Sequence, residues 1–248
     1  MAMKPWCKNN PVPNDYFQFK QFLVRQDRCA MKVCTDSCLL GAYAAVSQAN
    51  TILDIGAGTG LLSLMAAQRS AAAITAVEVD ARAAAQAREN MAASPWAQRL
   101  QVVNQSLQDF EKENEQLFEV ILCNPPFYKA SHKSPDEARN VAMHSHELSF
   151  EEILRFCHRF LHPAGTLYLL LPPAESRQFA HLAARHQLFV HEKLGVYTKT
   201  GGRHIRSILA LGHQPAGTVL ESHLEIRQAD NSYSDAFRHL LHDYYLIF

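Results

Sequence analysis

Two short stretches of this chain carry residue types that could hold a reacting group and its partner. Asn124-Pro125-Pro126-Phe127 comes directly after an apolar run, Leu117–Cys123, that reads as a strand. A residue before proline is driven toward extended backbone, and two successive prolines, neither with an N–H, stiffen the loop. That loop presents acceptors, the Asn124 side-chain carbonyl and the Pro125 main-chain carbonyl. Such a pair can take both hydrogens of an exocyclic aromatic or amide NH2, whose delocalised lone pair makes it a poor nucleophile, and favour its pyramidal form. Transfer of a methyl group to that nitrogen then needs in-line positioning and electrostatics, not a nucleophilic residue or a strong base. Phe127 is placed to stack on a planar acceptor, a contact worth roughly 1–3 kcal/mol for a nucleobase. An RNA base would have to leave its stack to enter.

The second stretch, Asp54-Ile55-Gly56-Ala57-Gly58-Thr59-Gly60, closes the apolar run Thr51–Ile55 and precedes a helix beginning at Leu61. Glycines spaced G-x-G-x-G make a tight turn that brings backbone close to a ligand. The dinucleotide fingerprint wants a glycine where Leu61 stands, and its purpose is to seat a pyrophosphate on a helix N-terminus. The form found here suits a cofactor without phosphate, for which S-adenosylmethionine, with an amino-acid end, a ribose and an adenine, is the fitting candidate. Glu78 closes the next strand, about twenty residues on, where an acid can accept both ribose hydroxyls. Asp80 is the alternative for that role.

These loops need strands and helices to hold them. Alternation of strands (Thr51–Ile55, Ile74–Val79, Leu100–Asn104, Leu117–Cys123, Gly165–Leu171) with helices (Leu61–Arg69, Ala81–Ala93, Phe150–Leu161, Ala174–His186) predicts an α/β fold, a Rossmann-like parallel sheet with helices on both faces. Strands near Leu188–Val196 and Ile205–Gly212 read as a hairpin that places an antiparallel strand at one edge. Phe17–Val24 alternates like a half-buried strand, and 36–48 reads as a helix with Thr35 or Asp36 as N-cap. Residues 128–148 are a polar insertion at the carboxyl end of a strand, where insertions commonly cover a site. The last thirty residues read as a final helix docking its aromatics. The economical division is one domain over 1–248, with a basic N-terminal extension (1–34), a catalytic core (35–213) and a C-terminal extension (214–248).

The chain has 248 residues, 48% hydrophobic, with 24 basic against 24 acidic side chains, which argues against a protein that coats nucleic acid. The charge is unevenly placed, however. Residues 1–33 hold six Lys/Arg against Asp15 and Asp27, and Lys193, Lys199, Arg203 and Arg206 fall in a stretch, 193–213, that has no acid. No signal-peptide pattern and no apolar run of roughly 20 residues is present, so a cytoplasmic protein is expected. Six scattered cysteines lack paired metal-site spacing and are expected to be reduced thiols, with no metal bound.

On Asp54–Gly60, Glu78 and Asn124–Phe127 the chain resembles the class I S-adenosylmethionine-dependent methyltransferases, whose amino-methylating members carry (D/N/S)-P-P-(Y/F/W). Three further stretches are similar to the bacterial tRNA1(Val) adenine-37 N6-methyltransferase family. They are Phe17–Phe22 leading through Gln26–Val33 to Thr35-Asp36; Pro135–Ala142 through His144 to Leu148–Glu152; and the terminal Tyr-Tyr-Leu. The resemblance implies a seven-stranded sheet and S-adenosylmethionine over the carboxyl ends of its first strands. It implies that Asn124, Pro125 and Phe127 hold the target adenine, that Asp54, Gly56, Gly58, Gly60 and Glu78 bind the cofactor, and that Thr35 lies near the cofactor's methionine end. Where relatives carry an Asp for the cofactor's adenine amino group this chain has Ser106, so the Ser106 hydroxyl or the Leu107 backbone is expected to serve. Asp109 reads as a surface acid. The partner implied is tRNA, gripped by Lys20, Arg25 and Arg28 and by Lys129, Lys133 and Arg139 of the insertion, by an enzyme expected to act as a monomer. A guanine N2 in ribosomal RNA, the amide of a protein glutamine, and a non-catalytic RNA- or cofactor-binding role are the alternatives.

Overall fold

The computed structural model describes residues 14–29, 31–125 and 148–248. Its centre is a sheet built on short apolar runs. The strands are β3 (Thr51–Ile55), β4 (Ala73–Val77), β5 (Leu100–Val103), β6 (Phe118–Cys123), β7 (Leu161–Leu171), β8 (Phe189–Lys199), β9 (His204–Gly212) and β10 (Leu220–Arg227). Successive side chains point to opposite faces, so a strand covered on both sides must be apolar throughout. Ile52, Val120, Leu122, Leu170 and Ile208 face one layer of core, and Leu53, Ile121, Cys123, Leu169 and Leu209 the other.

The first layer is closed by α1 (Thr35–Tyr43), α2 (Leu61–Arg69) and the last helix, α7 (Asp235–Leu241), with Met91 of α3 (Ala81–Ala92) packed in it. The second is closed by α4 (Leu107–Glu113), α5 (Phe150–Phe160) and α6 (Pro173–Arg185). α5 begins on a capping box in which the Ser149 hydroxyl accepts from Glu152 N and the Glu152 carboxylate accepts from Ser149 N, which satisfies donors a helix start leaves over.

The strand order is β10-β8-β9-β7-β6-β3-β4-β5, with β9 antiparallel to both its neighbours and the other pairings parallel. The Rossmann-like α/β fold stands, with two departures from expectation. The sheet has eight strands, not seven, and the antiparallel strand is interior. The β8–β9 hairpin is present, but β9 inserts between β7 and β8, and β10, from the segment expected to be a C-terminal extension, covers β8.

Phe17–Val24 is not one strand but a hairpin, β1 (Tyr16–Gln18) and β2 (Leu23–Arg25), closed by Phe19 N donating to Phe22 O at 2.9 Å. The turn buries Phe19 and Phe22 stacked at 4.5 Å, against Tyr245 and Trp96. The final helix and its aromatics do dock there, with Tyr244 buried and its hydroxyl donating to Met65 O. Helix α1 starts at Thr35 and ends at Tyr43, shorter than the 36–48 expected, with Cys34 as its N-cap residue. No helix among the described residues is long and apolar enough to cross a membrane.

Candidate active site

β3 is the point where the strand order reverses, β4 and β5 lying to one side and β6 and β7 to the other. Open α/β sheets bind ligands in the crevice at the carboxyl ends beside such a point. The glycine loop leaves the end of β3 and Asn124 leaves the end of β6, so the loop and Asn124 share that crevice. Met31, Lys32, Val33 and Ser37 complete its walls.

The loop takes its shape from three left-handed residues, Gly56 (φ 71°), Gly58 (φ 55°) and Gly60 (φ 79°). Their reasons differ. A Cβ at Gly56 or Gly58 would meet nothing within 4 Å, because both border the crevice. At Gly60 it would meet Met91 Cε at 3.0 Å, so this glycine also lets α3 pack against the loop. The N–H groups are turned inward. Gly56 and Ala57 donate to Val77 O at 2.9 and 3.1 Å, Gly60 to Ala57 O at 2.8 Å, and Gly58 to the Glu78 carboxylate at 2.8 Å. A pyrophosphate-binding loop aims these donors at the ligand. Here they are engaged, and a carboxylate stands beside them.

Glu78 is nearly buried just past β4, its other oxygen accepting from Asp80 N at 2.9 Å. Asp80, the alternative acid, caps α3 by accepting from Ala83 N at 2.8 Å. Asp54 is wholly buried. Its Oδ2 accepts from Ser63 N at 3.1 Å and from Ser63 Oγ at 2.7 Å, whereas Oδ1 has no partner. Burial raises its pKa from 3.8 to about 6, against the Ser63 hydrogen bonds and with the Glu78 charge adding to the rise.

Among the described residues, one hydrogen bond holds the Asn124 side chain. Its Nδ2 donates to Ser37 Oγ, on the first turn of α1, at 2.8 Å, and its Oδ1 is buried with no partner. The Ser37 hydroxyl also lies 3.4 Å from Cys34 Sγ. Asp36, next to it, accepts from Arg206 Nε of β9 at 2.7 Å, which pins the start of α1 to the sheet. Buried unpaired oxygens are rare and costly in folded proteins. Two of them, on Asn124 in the crevice wall and on Asp54 at the root of the glycine loop, describe a site complementary to cationic and N–H-bearing ligands. S-adenosylmethionine, with its ammonium, sulfonium and ribose hydroxyls, fits those acceptors and a loop whose Gly56, Ala57, Gly58 and Gly60 N–H groups are already engaged.

Several site residues were not legible from their spacing. Ser37 is one. Asn90 is another: its amide accepts from Arg25 N at 2.9 Å and donates to Arg25 O and Thr59 O at 2.8 and 2.9 Å. It thus joins β2, α3 and the glycine loop. Gln26 accepts from Val33 N at 2.8 Å and holds the segment that supplies Met31, Lys32 and Val33.

Other expectations meet different surroundings. Ser106 is the N-cap of α4, accepting from Asp109 N at 3.1 Å and donating to Asp109 Oδ2 at 2.8 Å, so its hydroxyl serves the helix. Leu107 beside it is buried. Asp109 is an exposed acid paired with Lys112. Thr35 begins α1 and is not among the residues lining the crevice. Lys20, expected to hold phosphate, donates to His242 O and Phe248 O at 2.6 and 2.8 Å. Arg28 is bidentate on Glu89 at 3.0 and 2.5 Å. Both are committed to the protein itself, which leaves the exposed Arg25 of that group. Phe127, Lys129, Lys133 and Arg139 lie outside the described residues. Cys29, Cys34, Cys38, Cys123 and Cys157 are free thiols, and no group of three His, Cys, Asp or Glu side chains among the described residues is placed to hold a metal.

Residues 30–171 match the Methyltransferase small domain family. A tRNA1(Val) (adenine(37)-N6)-methyltransferase of Phocaeicola vulgatus is 43% identical over 235 residues, 95% of this chain and 99% of that protein. Its counterpart in Serratia proteamaculans is 41% identical over 94% of this chain and 90% of that protein. Among solved structures, a predicted O-methyltransferase from Agrobacterium tumefaciens shares the fold, with a TM-score of 0.64 at 17% identity over 84% of this chain and 96% of that one. With the crevice, the loop geometry and these likenesses together, the chain belongs to the tRNA1(Val) (adenine(37)-N6)-methyltransferase family, within the Methyltransferase small domain group.

Proposed function

We propose that this protein methylates the exocyclic N6 of adenine 37 in the anticodon loop of tRNA1(Val), with S-adenosylmethionine as donor. The names of its relatives support adenine over a guanine N2 or a glutamine amide. The observation that carries the reading is the Asn124 amide, its Nδ2 fixed by Ser37 and its Oδ1 buried without a partner at the crevice.

S-adenosylmethionine, when bound, supplies an electrophilic methyl on a sulfonium. Asp54, the Gly56–Gly60 turn and Glu78 are the groups assigned to hold it, since they offer carboxylates and close backbone approach. Asn124 Oδ1 and the Pro125 carbonyl accept the two amino hydrogens of the target, fixing the nitrogen so that its lone pair can point along the line of transfer. Phe127 is assigned the stacking contact with the adenine ring. The methylated ammonium is acidic, so its proton leaves without a dedicated strong base.

The test is Asn124→Ala assayed by labelled methyl transfer to tRNA from a strain lacking the enzyme, with nucleoside mass analysis of the product. Turnover should fall at least 100-fold, as when one preorganised polar group is removed from other enzymes, while cofactor affinity stays within a few-fold. Near-normal turnover in that variant removes the assignment.

A further inference from the structure

We propose that the rim formed by the ends of β8, β9 and β10 is a docking surface for the tRNA backbone, with Lys199 and Arg203 taking phosphates away from the target nucleotide. The proposal rests on the functional reading above and adds to it where the substrate is gripped.

The topology puts this rim on the same side as the crevice. β7 and β8 are both antiparallel to β9, so β8 ends, and β9 begins, at the carboxyl edge where Asn124 and the glycine loop stand. Lys199 is the last residue of β8, Arg203 precedes β9, and Arg227 ends β10 in register with Lys199. The turn between them is tight: Gly202 N donates to Lys199 O at 2.7 Å, Thr198 N donates to Arg203 O at 3.1 Å, and Gly201 sits at φ 67°. The cations therefore project from a fixed backbone, and less freedom is lost when they engage a ligand.

Their charge is not neutralised locally. Lys199 and Arg203 are exposed and form no ion pair with another described residue, and 193–213 contains no acid. Arg227 lies over the Tyr233 ring at 4.4 Å and donates to Asn231 O, contacts that leave its charge intact. Two carboxylates at this end of β10 are engaged by neutral donors: Glu225 accepts from Thr200 Oγ1 at 2.6 Å, and Asp230, in the turn that follows, accepts from Ser232 N and Oγ at 2.9 and 2.7 Å. By contrast, Lys20 and Arg28, the cations first expected to meet RNA, are tied down, and Arg206 of β9 serves Asp36.

The rim also carries aromatics. Tyr197 and His204 are cross-strand partners stacked at 4.9 Å and 18°, both partly exposed, with His223 edge-on to Tyr197 at 6.4 Å. Cations beside such faces suit single-stranded RNA, whose bases stack on aromatic rings while its phosphates pair with Lys and Arg. The rim is remote from the reacting atoms. Two strand spacings separate β6 from β9 and Arg203 lies five residues beyond Ile208, the level of Asn124, so the two backbones are roughly 20 Å apart. At that range the rim meets phosphates several nucleotides from the target, and it should act on binding and not on the transfer step.

The test is Lys199→Gln with Arg203→Gln in the full chain, assayed by methyl transfer to tRNA at several salt concentrations. The expected result is a KM for tRNA raised about 10-fold, kcat within twofold, and an unchanged Kd for S-adenosylmethionine. The dependence of log KM on log salt should flatten by about 1.4–1.8, the slope two phosphates contribute. Arg159→Gln with Arg185→Gln removes the same charge at the helix ends on the opposite edge and should change none of these. An unmoved KM and salt slope, an equal effect of the control pair, or a loss confined to kcat overturns the proposal. Failure of the wild type to methylate tRNA would instead overturn the functional reading.

Discussion

Replacing Asp54 by Asn should make the unliganded protein more stable and its cofactor site worse. The carboxylate is fully buried, one oxygen held by Ser63 and the other unpaired, and burial first, then Glu78, lifts its pKa from 3.8 to about 6. That elevation corresponds to about 3 kcal/mol between the two protonation states. Between pH 3.8 and about 6 the folded state binds more protons than the unfolded chain. The contribution of this group to stability is therefore full below pH 3.8 and is lost as pH rises through about 6, opposite in sign to a salt-bridged carboxylate. Asparagine keeps the shape and the acceptor for Ser63 and carries no charge. Its unpaired N–H matches the unpaired O–H of the protonated acid, so the two proteins should be equally stable at pH 3.5 or below.

The difference in unfolding free energy, variant minus wild type, should then grow to about 3 kcal/mol at pH 7, read from urea unfolding of the unliganded proteins at half-unit steps. Taking the difference cancels the carboxylates of ordinary sign, such as Glu152, where burial is the largest single effect but the Ser149 and Gln108 hydrogen bonds and the Arg155 charge together outweigh it and lower the pKa. At the same time the affinity for S-adenosylmethionine should fall at least 10-fold, because a cation is what relieves a buried anion. A difference that does not vary with pH, or a variant that binds cofactor as tightly as wild type, would refute the reasoning.

Ser37→Ala should leave Asn124 Nδ2 without an acceptor and let the amide turn, lowering kcat about 10-fold with the cofactor Kd within twofold, and Ser37→Thr should recover part of the loss. A kcat within twofold of wild type would show that packing alone orients the amide. Lys20→Ala removes the donor to His242 O and Phe248 O. It should lower the thermal midpoint by a few degrees and leave the KM for tRNA unchanged. A raised KM with an unaltered midpoint would return Lys20 to the RNA surface.

The parallel half of the sheet was readable because burial on both faces leaves unbroken apolar runs, as at Val120–Cys123. β10 was not. Of Leu-Glu-Ser-His-Leu-Glu-Ile-Arg only Leu224 is buried, and the segment is a strand because β8 offers it a partner. The alternation over Phe17–Val24 is the same for one strand as for a hairpin. What decides is the far end of the chain, where Tyr244 O accepts from Lys20 N at 2.9 Å inside the turn. Asn124 and the glycines announce themselves by local pattern. Ser37 lies 87 positions from Asn124 and has no pattern to announce it. Ser106 reads two ways for a related reason, since a serine before an amphipathic run is equally an N-cap and a ligand-binding hydroxyl, and in the fold it caps α4.

The chemistry of the crevice derives from a single imbalance. Its wall carries the Asn124 carbonyl, the Asp54 and Glu78 carboxylates stand beside the loop that forms it, and the N–H groups of Gly56, Ala57, Gly58 and Gly60 are turned to protein oxygens. Such surroundings favour cations and amino groups over phosphate. Pre-setting acceptors in a buried site costs folding free energy, as the pKa of Asp54 records, and that cost is recovered when donors arrive. A positively charged donor and an exocyclic NH2 are the two ligands whose simultaneous presence satisfies it. The same imbalance explains why substrate phosphates must be met elsewhere, on cations such as Lys199 and Arg203 that stand clear of these carboxylates.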